Sequence, residues 1–418
     1  MFHLKQLPMR KILPLFALLI SISFLNGQIE GCDGSRFIDD IFTEVDITRA
    51  IKFGEGETVT GTNQELFLDV YEPVNDDLEM RPVIILAFGG SFIGGERGDV
   101  EFLCEAYARK GYVAVAIDYR LYDGPLFPIP SASTFKEVVV KTVSDMKAAI
   151  RHMRQDADTE NLYRINPSQI YVGGISAGAI TAFHTAVLDE DDDLPDDIRM
   201  FLEENGGIEG NTSSNYEYSS EAQGIINYSG GLNDASWIDE NDPPFVSIHD
   251  DMDPVVPFGQ GFASVLGIPI VSMEGSMTCH EIANNVGIAN ELRTIENSNG
   301  HVSYFFGLGA NVAGSINYTA GFVADLICND VMSSLDEVEE IEMVTVSPNP
   351  TNGLINIEGM DHSEYSIEVW DISGKLQDRF FNQSNLDLNH LNNGTYFLRI
   401  LDFNEGRSQT LKIVLAKA

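Results

Sequence analysis

The sequence predicts an α/β fold, a doubly wound and mostly parallel sheet, followed by a small all-β sandwich. Residues 83–88 and 112–117 are uninterrupted apolar runs, as strands buried on both faces of a parallel sheet require. Strand-like and helical periods then alternate at short intervals up to about residue 328. Beyond the acidic run Asp336-Glu337-Val338-Glu339-Glu340 the pattern becomes short alternating segments punctuated by Asn352-Gly353, Ser373-Gly374 and Asn393-Gly394.

A chain of 418 residues with 44% hydrophobic content is long enough for two folded units and a sizeable core. Its net charge of −39 repels phosphate backbones and anionic membrane surfaces, so nucleic acid is excluded as a partner class. Lys5, Arg10 and Lys11 precede an apolar run over 12–24, and Gly27 follows, which is the order of a removable export signal over residues 1–27. The alternative, a membrane anchor, needs ~20 apolar residues, and this run is shorter.

In chain order, residues 65–71 alternate Leu66, Leu68 and Val70 with polar positions and read as a half-buried strand near a sheet edge. The buried strand 83–88 runs into Gly89-Gly90-Ser91-Phe92, a helix is predicted over 100–109 with Gly111 as its stop, and 112–117 forms the next strand. A loop rich in proline and aromatics follows Asp118-Tyr119-Arg120-Leu121. A helix over 138–154 then crosses to a strand at 169–172. That strand delivers Gly174-Ile175-Ser176-Ala177-Gly178 at the start of a further helix. Strands at 224–228, 245–249 and 292–296 and a closing helix at 316–327 complete the unit, and the loop 229–244 allows at most a small cap.

Residues 189–197 hold seven carboxylates in nine positions and continue into a polar stretch to Glu221. The segment joins a helix to the next strand, which puts it at the strands' N-terminal edge, away from the edge where ligands bind. It therefore reads as a solvated acidic loop; calcium binding is the alternative, although the ordered carboxylate spacing of an EF-hand loop is missing.

The five residues around Ser176 describe a strand, a sharp turn and a helix, which would expose the serine oxygen at the top of the sheet. A nucleophilic serine needs a base, an acid to orient the base, and donors for an oxyanion. Asp253 follows the predicted strand at 245–249, and His301, in Asn299-Gly300-His301-Val302, follows the last one. Asp250 and Asp251 are rivals for the acid, while His152, His184 and His280 fall within helical runs and read as structural.

With these residues in place, residues 60–328 resemble a secreted carboxylesterase of the α/β-hydrolase family, in which serine, acid and histidine occur in this order. The resemblance rests also on Phe88-Gly89-Gly90-Ser91, on Asp118-Tyr119-Arg120-Leu121 and on Asp253-Pro254-Val255-Val256-Pro257. It implies Ser176 as nucleophile, His301 as general base and Asp253 as its orienting acid. The backbone N–H groups of Gly90, Ser91 and Ala177 would form the oxyanion hole, and no metal or organic cofactor is implied. The family's histidine before the glycines is Phe88 here, which removes a side-chain brace from that loop. An apolar wall from the aromatic loop suggests an acyl or feruloyl ester carried on a polysaccharide. A serine peptidase of the same fold and an inactive binding protein on this scaffold are the alternatives.

Residues 343–418 resemble the type A sorting domain of the type IX secretion system, through Ser347-Pro348-Asn349-Pro350, Asp371-Ile372-Ser373-Gly374-Lys375, Gly394-Thr395-Tyr396-Phe397-Leu398 and Lys412-Ile413-Val414. A carbohydrate-binding sandwich is the alternative. The resemblance implies export through the periplasm of a Gram-negative bacterium to the surface or medium, with the secretion machinery as partner and no stable membrane anchor. The expected organisation is a leader to residue 27, a catalytic unit over 28–330, an acidic linker over 331–342 and the sorting unit over 343–418. Four cysteines in an exported chain favour disulfides, and the expected pairing joins Cys32 to Cys104 and Cys279 to Cys328.

Overall fold

A computed structural model describes residues 31–190, 192–329, 345–358, 365–371, 376–381, 383–402 and 408–417. The expected leader and acidic linker lie outside the described residues. The chain divides into two compact units, Met1–Met332 and Ser333–Ala418. No described helix is long and apolar enough to cross a membrane.

The first unit is built on an eight-stranded sheet. Its strands in chain order are β1 (Val45–Glu57), β2 (Asn63–Pro73), β3 (Arg81–Ala87), β4 (Val113–Ile117), β5 (Ile165–Ile175), β6 (Ile225–Tyr228), β8 (Phe245–Asp250) and β11 (Asn290–Ile295), laid out β1-β2-β4-β3-β5-β6-β8-β11. The antiparallel pairs β1/β2 and β2/β4 form one side, and all later neighbours are parallel. Every residue of β3, β4 and β8 is buried, and β3 and β4 accordingly run almost wholly apolar, whereas β8 buries the polar Ser247, His249 and Asp250. β1 was missed by periodicity because only Phe53 of its thirteen residues is buried and the ladder shifts register twice. The strand expected at the edge is therefore second from it.

The helices are α1 (Glu101–Arg109), α2 (Ala132–Asp158), α3 (Ala177–Val187), α4 (Asp196–Glu204), α5 (Ser276–Val286), α6 (Ser303–Phe306) and α7 (Val312–Asn329). The start of α2 lies six residues before its expected start because Ser131 accepts a hydrogen bond from the Thr134 N–H and caps it. A second, three-stranded antiparallel sheet joins β7 (Gly231–Leu232), which precedes β8, to β10 (Ile268–Gly275) and β9 (Gln260–Val265), which lie between β8 and α5, and has no counterpart in the sequence reading.

The acidic segment after α3 departs from expectation. Its exposed carboxylates lead into α4, and its later part folds back onto α2, where Thr212 is buried beside Arg120 and Asp145. Arg120 and Asp145 form an ion pair at 2.8 Å with side chains 1% and 0% exposed. Arg120 also donates to the carbonyls of Glu57 and Lys141. One guanidinium thus ties together β1, the exit of β4, α2 and the acidic segment. Among the described residues no cluster of three His, Cys, Asp or Glu side chains is arranged to hold a metal ion.

The expected cysteine pairing is wrong. Cys32 is bonded to Cys328, with Cα atoms 5.7 Å apart and a sequence separation of 296. Cys104 and Cys279 are free and buried, in α1 and α5. Residues after Cys32 pack on the α1–β4 corner, where Phe37 N–H bonds the Lys110 carbonyl, and the Tyr112 hydroxyl reaches toward Ala320 of α7. Both ends of the unit are thereby brought to one place, a meeting that no local pattern encodes.

The second unit has two antiparallel sheets: β12 (Thr345–Ser347), β13 (Leu354–Glu358) and β16 (Asn385–Asp387), and β15 (Leu376–Phe381), β14 (Tyr365–Asp371), β17 (Gly394–Asp402) and β18 (Ser408–Leu415). Ile355, Ile367, Val369, Leu386, Leu398 and Ile413 belong to its core.

Two outcomes test these features. Alkylation of the unreduced, denatured protein should label Cys104 and Cys279 alone; label on Cys32 or Cys328 would contradict the pairing. Asp145→Ala strands a buried guanidinium and should cost about 3–5 kcal/mol, read as a thermal midpoint lower by roughly 5–10 °C.

Candidate active site

Four loops leave the carboxyl ends of the parallel strands and converge. β5 ends at Ile175, and Ser176 follows with φ 54° and ψ −115°, a backbone conformation that costs a non-glycine residue energy and is retained only where the surroundings impose it. The imposition is visible at Gly178, where a Cβ would lie 2.2 Å from the Ala87 carbonyl oxygen. α3 can press against the end of β3 only with glycine there.

Asp253 lies three residues beyond β8, and His301 lies in the loop between β11 and α6. The structure brings them to Ser176: His301 Nε2 is 2.8 Å from Ser176 Oγ, and His301 Nδ1 is 2.6 Å from Asp253 Oδ2. Since Asp253 accepts at Nδ1, that nitrogen carries the proton and Nε2 is free to accept from the serine hydroxyl. Burial alone would raise the Asp253 carboxyl, but hydrogen bonds from His249 and His301 outweigh it and hold the group down at about 2. The side chain of Asp253 is fully buried, whereas that of His301 is 20% exposed and open to a substrate.

The rival acids have another task. Asp250 accepts from the Ser303 N–H at 3.0 Å and from the hydroxyls of Ser298 and Ser303. Asp251 accepts from the N–H groups of Asn297 and Ser298, each at 2.9 Å. These two carboxylates clamp the loop that carries His301. His280 bonds Asn290 and Ser247, and burial pulls it down to about 4. His184 bonds the Ile180 carbonyl, receives the Asn233 N–H, and is likewise held by burial at about 4.

The loop after β3 carries Gly90 at φ +130°, where a Cβ would meet the Gly94 carbonyl oxygen at 2.1 Å, and Ser91 at φ 54°. Ala177 is the first residue of α3, so its N–H is one of the donors a helix N-terminus leaves without an intrahelical partner. Phe88 stacks on Tyr119 at 4.2 Å, and the Tyr119 hydroxyl donates to the Phe88 carbonyl at 2.8 Å. A tyrosine from the exit of β4 therefore braces the loop from which the histidine brace is missing. Sequence order could not reveal this, because the two residues are 31 apart.

A cavity opens beside Ser176, lined by Phe92, Phe135, Val143, Ile180, Trp237 and Met273 among others. Its walls come from α2, α3 and the β9–β10 hairpin, with Ile198 of α4 closing part of it. The acidic segment thus reaches round to the site, contrary to the expectation that it stays at the strands' N-terminal edge. The hairpin is the element that sequence reasoning missed here; its alternating residues 261–265 and the Gly267 turn were the available signal.

Residues 68–233 match the family described as BD-FAE, and residues 345–416 match the secretion system C-terminal sorting domain. A comparison with curated proteins gives no match. Among solved structures the chain is similar to esterase 2 of Thermogutta terrifontis phosphorylated by paraoxon, at 21% identity and TM-score 0.48, covering 68% of this chain and 94% of that one. The propionate-bound form of the esterase from the same species aligns at 21% identity and TM-score 0.46, with the same coverage. Residues 68–233 thus carry an esterase domain of the BD-FAE type on an α/β-hydrolase fold, and residues 345–416 carry a C-terminal sorting domain of the kind that directs secretion to the surface or surroundings of a Gram-negative bacterium.

Proposed function

We propose that Ser176, His301 and Asp253 form the catalytic triad of this esterase and that hydrolysis runs through an acyl-enzyme. The supporting observation is the continuous hydrogen-bonded line from Ser176 Oγ through both nitrogens of His301 to the buried Asp253 carboxylate. Ser176 Oγ attacks the ester carbonyl as His301 Nε2 takes its proton. The resulting oxyanion is stabilised by the N–H groups of Gly90, Ser91 and Ala177. Collapse breaks the ester C–O bond, and the proton passes from His301 to the departing alcohol. Water, deprotonated by the same nitrogen, then attacks the acyl-enzyme and releases the acid.

The cavity beside Ser176 offers almost wholly apolar walls, which favour an apolar acyl group over a charged one. An acyl or feruloyl ester borne on a polysaccharide fits: the acyl group fills the cavity while the sugar stays in solvent. In this reading the exported chain is a leader over 1–27, a catalytic unit over 28–330, a linker and a sorting unit over 343–418 that engages the secretion machinery.

Ser176→Ala should abolish hydrolysis of p-nitrophenyl butyrate without changing the circular dichroism spectrum; full activity in that variant would overturn the assignment. Asp253→Asn should lower kcat by roughly 10³–10⁴-fold. Tyr119→Phe leaves a buried carbonyl without its donor and should cut kcat by about 3- to 10-fold, with little change in KM. Across an ester panel, kcat/KM for butyryl and cinnamoyl esters should exceed that for a succinyl half-ester by at least about tenfold, because the free carboxylate would be desolvated in the cavity; equal values would remove the acyl group from it.

A further inference from the structure

Asp253 is held by more than His301. One oxygen, Oδ1, accepts the backbone N–H groups of Val255 at 2.8 Å and Val256 at 3.1 Å. The other, Oδ2, faces His301 Nδ1 at 2.6 Å and His249 Nε2 at 3.4 Å. An ionised carboxylate has about four lone-pair positions, and three N–H groups bond it here, those of Val255, Val256 and His301. His249 stands beside them with its Nε2 N–H bonded to the Val256 carbonyl at 3.1 Å, and nothing in the triad itself requires it.

The orientation of His249 is fixed by its surroundings. Its Nε2 faces only acceptors, the Asp253 carboxylate and the Val256 carbonyl at 3.1 Å, so Nε2 carries a proton. Its Nδ1 lies 2.7 Å from Ser276 Oγ. Asn227 accepts the Gly230 N–H at Oδ1, which leaves its amide nitrogen to donate to Ser276 Oγ at 3.0 Å and to Ser247 Oγ at 2.8 Å. Having accepted from Asn227, Ser276 has its own hydroxyl proton for Nδ1. On the far branch Ser247 meets His280, whose other nitrogen bonds Asn290. The imidazole of His249 is fully buried and edge-on to Phe258 at 5.6 Å between ring centres, so it has no room to swing away.

From this geometry we infer that His249 is a positioning residue of the esterase: its buried Nε2 N–H holds the Val256 carbonyl, which fixes the turn whose N–H groups bind Asp253 Oδ1 and so keeps His301 aimed at Ser176. The inference rests on the triad reading above. His249 touches neither substrate nor the reacting atoms and acts through Asp253. The Asn227–Ser276 pair is the support that holds the restraint in place, and it belongs to β6 and to the start of α5, outside every loop of the triad.

The test is steady-state kinetics on p-nitrophenyl butyrate with thermal midpoints measured alongside. His249→Leu keeps the volume and removes the donor; kcat should fall by about 10- to 100-fold, the scale on which small misplacements act, while KM stays within about twofold. His249→Gln returns an amide donor near the Nε2 position and should recover most of that loss. Ser276→Ala, a deletion of one oxygen, should lower kcat several-fold at unchanged KM and keeps the inference testable if the leucine variant does not fold. His280→Leu, on the branch that does not reach Asp253, should lower the thermal midpoint with kcat within about twofold. Wild-type kcat in both His249→Leu and Ser276→Ala would overturn the inference, as would a glutamine variant no better than leucine, or a loss of kcat in His280→Leu equal to that in His249→Leu. Should Ser176→Ala retain activity, the triad reading itself fails, which is a separate result.

Discussion

The close approach of α3 to the end of β3 is the constraint on which the site depends. Gly178 lies where any side chain would collide with the Ala87 carbonyl, so the helix axis can run directly over the sheet edge. That packing forces the turn between β5 and α3 to be tight, and the turn holds Ser176 at a positive φ that the residue would not adopt alone. The strain is sustained by the buried strands on either side: the Ser176 N–H bonds the Tyr228 carbonyl of β6 at 2.8 Å. Ala177 then opens the helix, so one piece of packing sets both the serine oxygen and a helix-terminal N–H next to it.

Around this fixed point the run from His249 to Asp253 divides its charges by geometry. The three acids lie within four residues of one another, yet Asp250 and Asp251 face the loop after β11 and Asp253 faces His301. A strand end explains the split. Up to Asp250 the chain alternates sides of the sheet, and from Asp251 it curls, so successive carboxylates point in unrelated directions. His249, buried beneath the curl, meets the carboxylate of Asp253 as the chain returns.

The cavity beside Ser176 is composite. α2 and α3 supply an apolar floor continuous with the core, while the β9–β10 hairpin, paired through β10 with β7, contributes Val265, Val271 and Met273. The proposed reacting groups thus sit at rigid strand ends while an added hairpin builds the pocket wall.

The amino-acid sequence by itself determined the class of the fold and the sorting unit, and singled out Ser176, Asp253 and His301 as the proposed triad, because each is written in local periodicity, turn chemistry or a short motif. Val83 to Phe88 can be read as a buried strand without knowing its neighbours, and the glycines around Ser176 announce the turn by their composition. Tertiary structure alone decided the Cys32–Cys328 bond, the Tyr119–Phe88 brace, the hairpin wall and the placement of His249 against Asp253. All four are contacts across the fold or of weakly patterned segments, and β1 was hidden for the same reason, its exposed face leaving little apolar alternation to read. Local residue preferences report what a segment can form; which segments meet is settled only when burial of the whole core selects one arrangement.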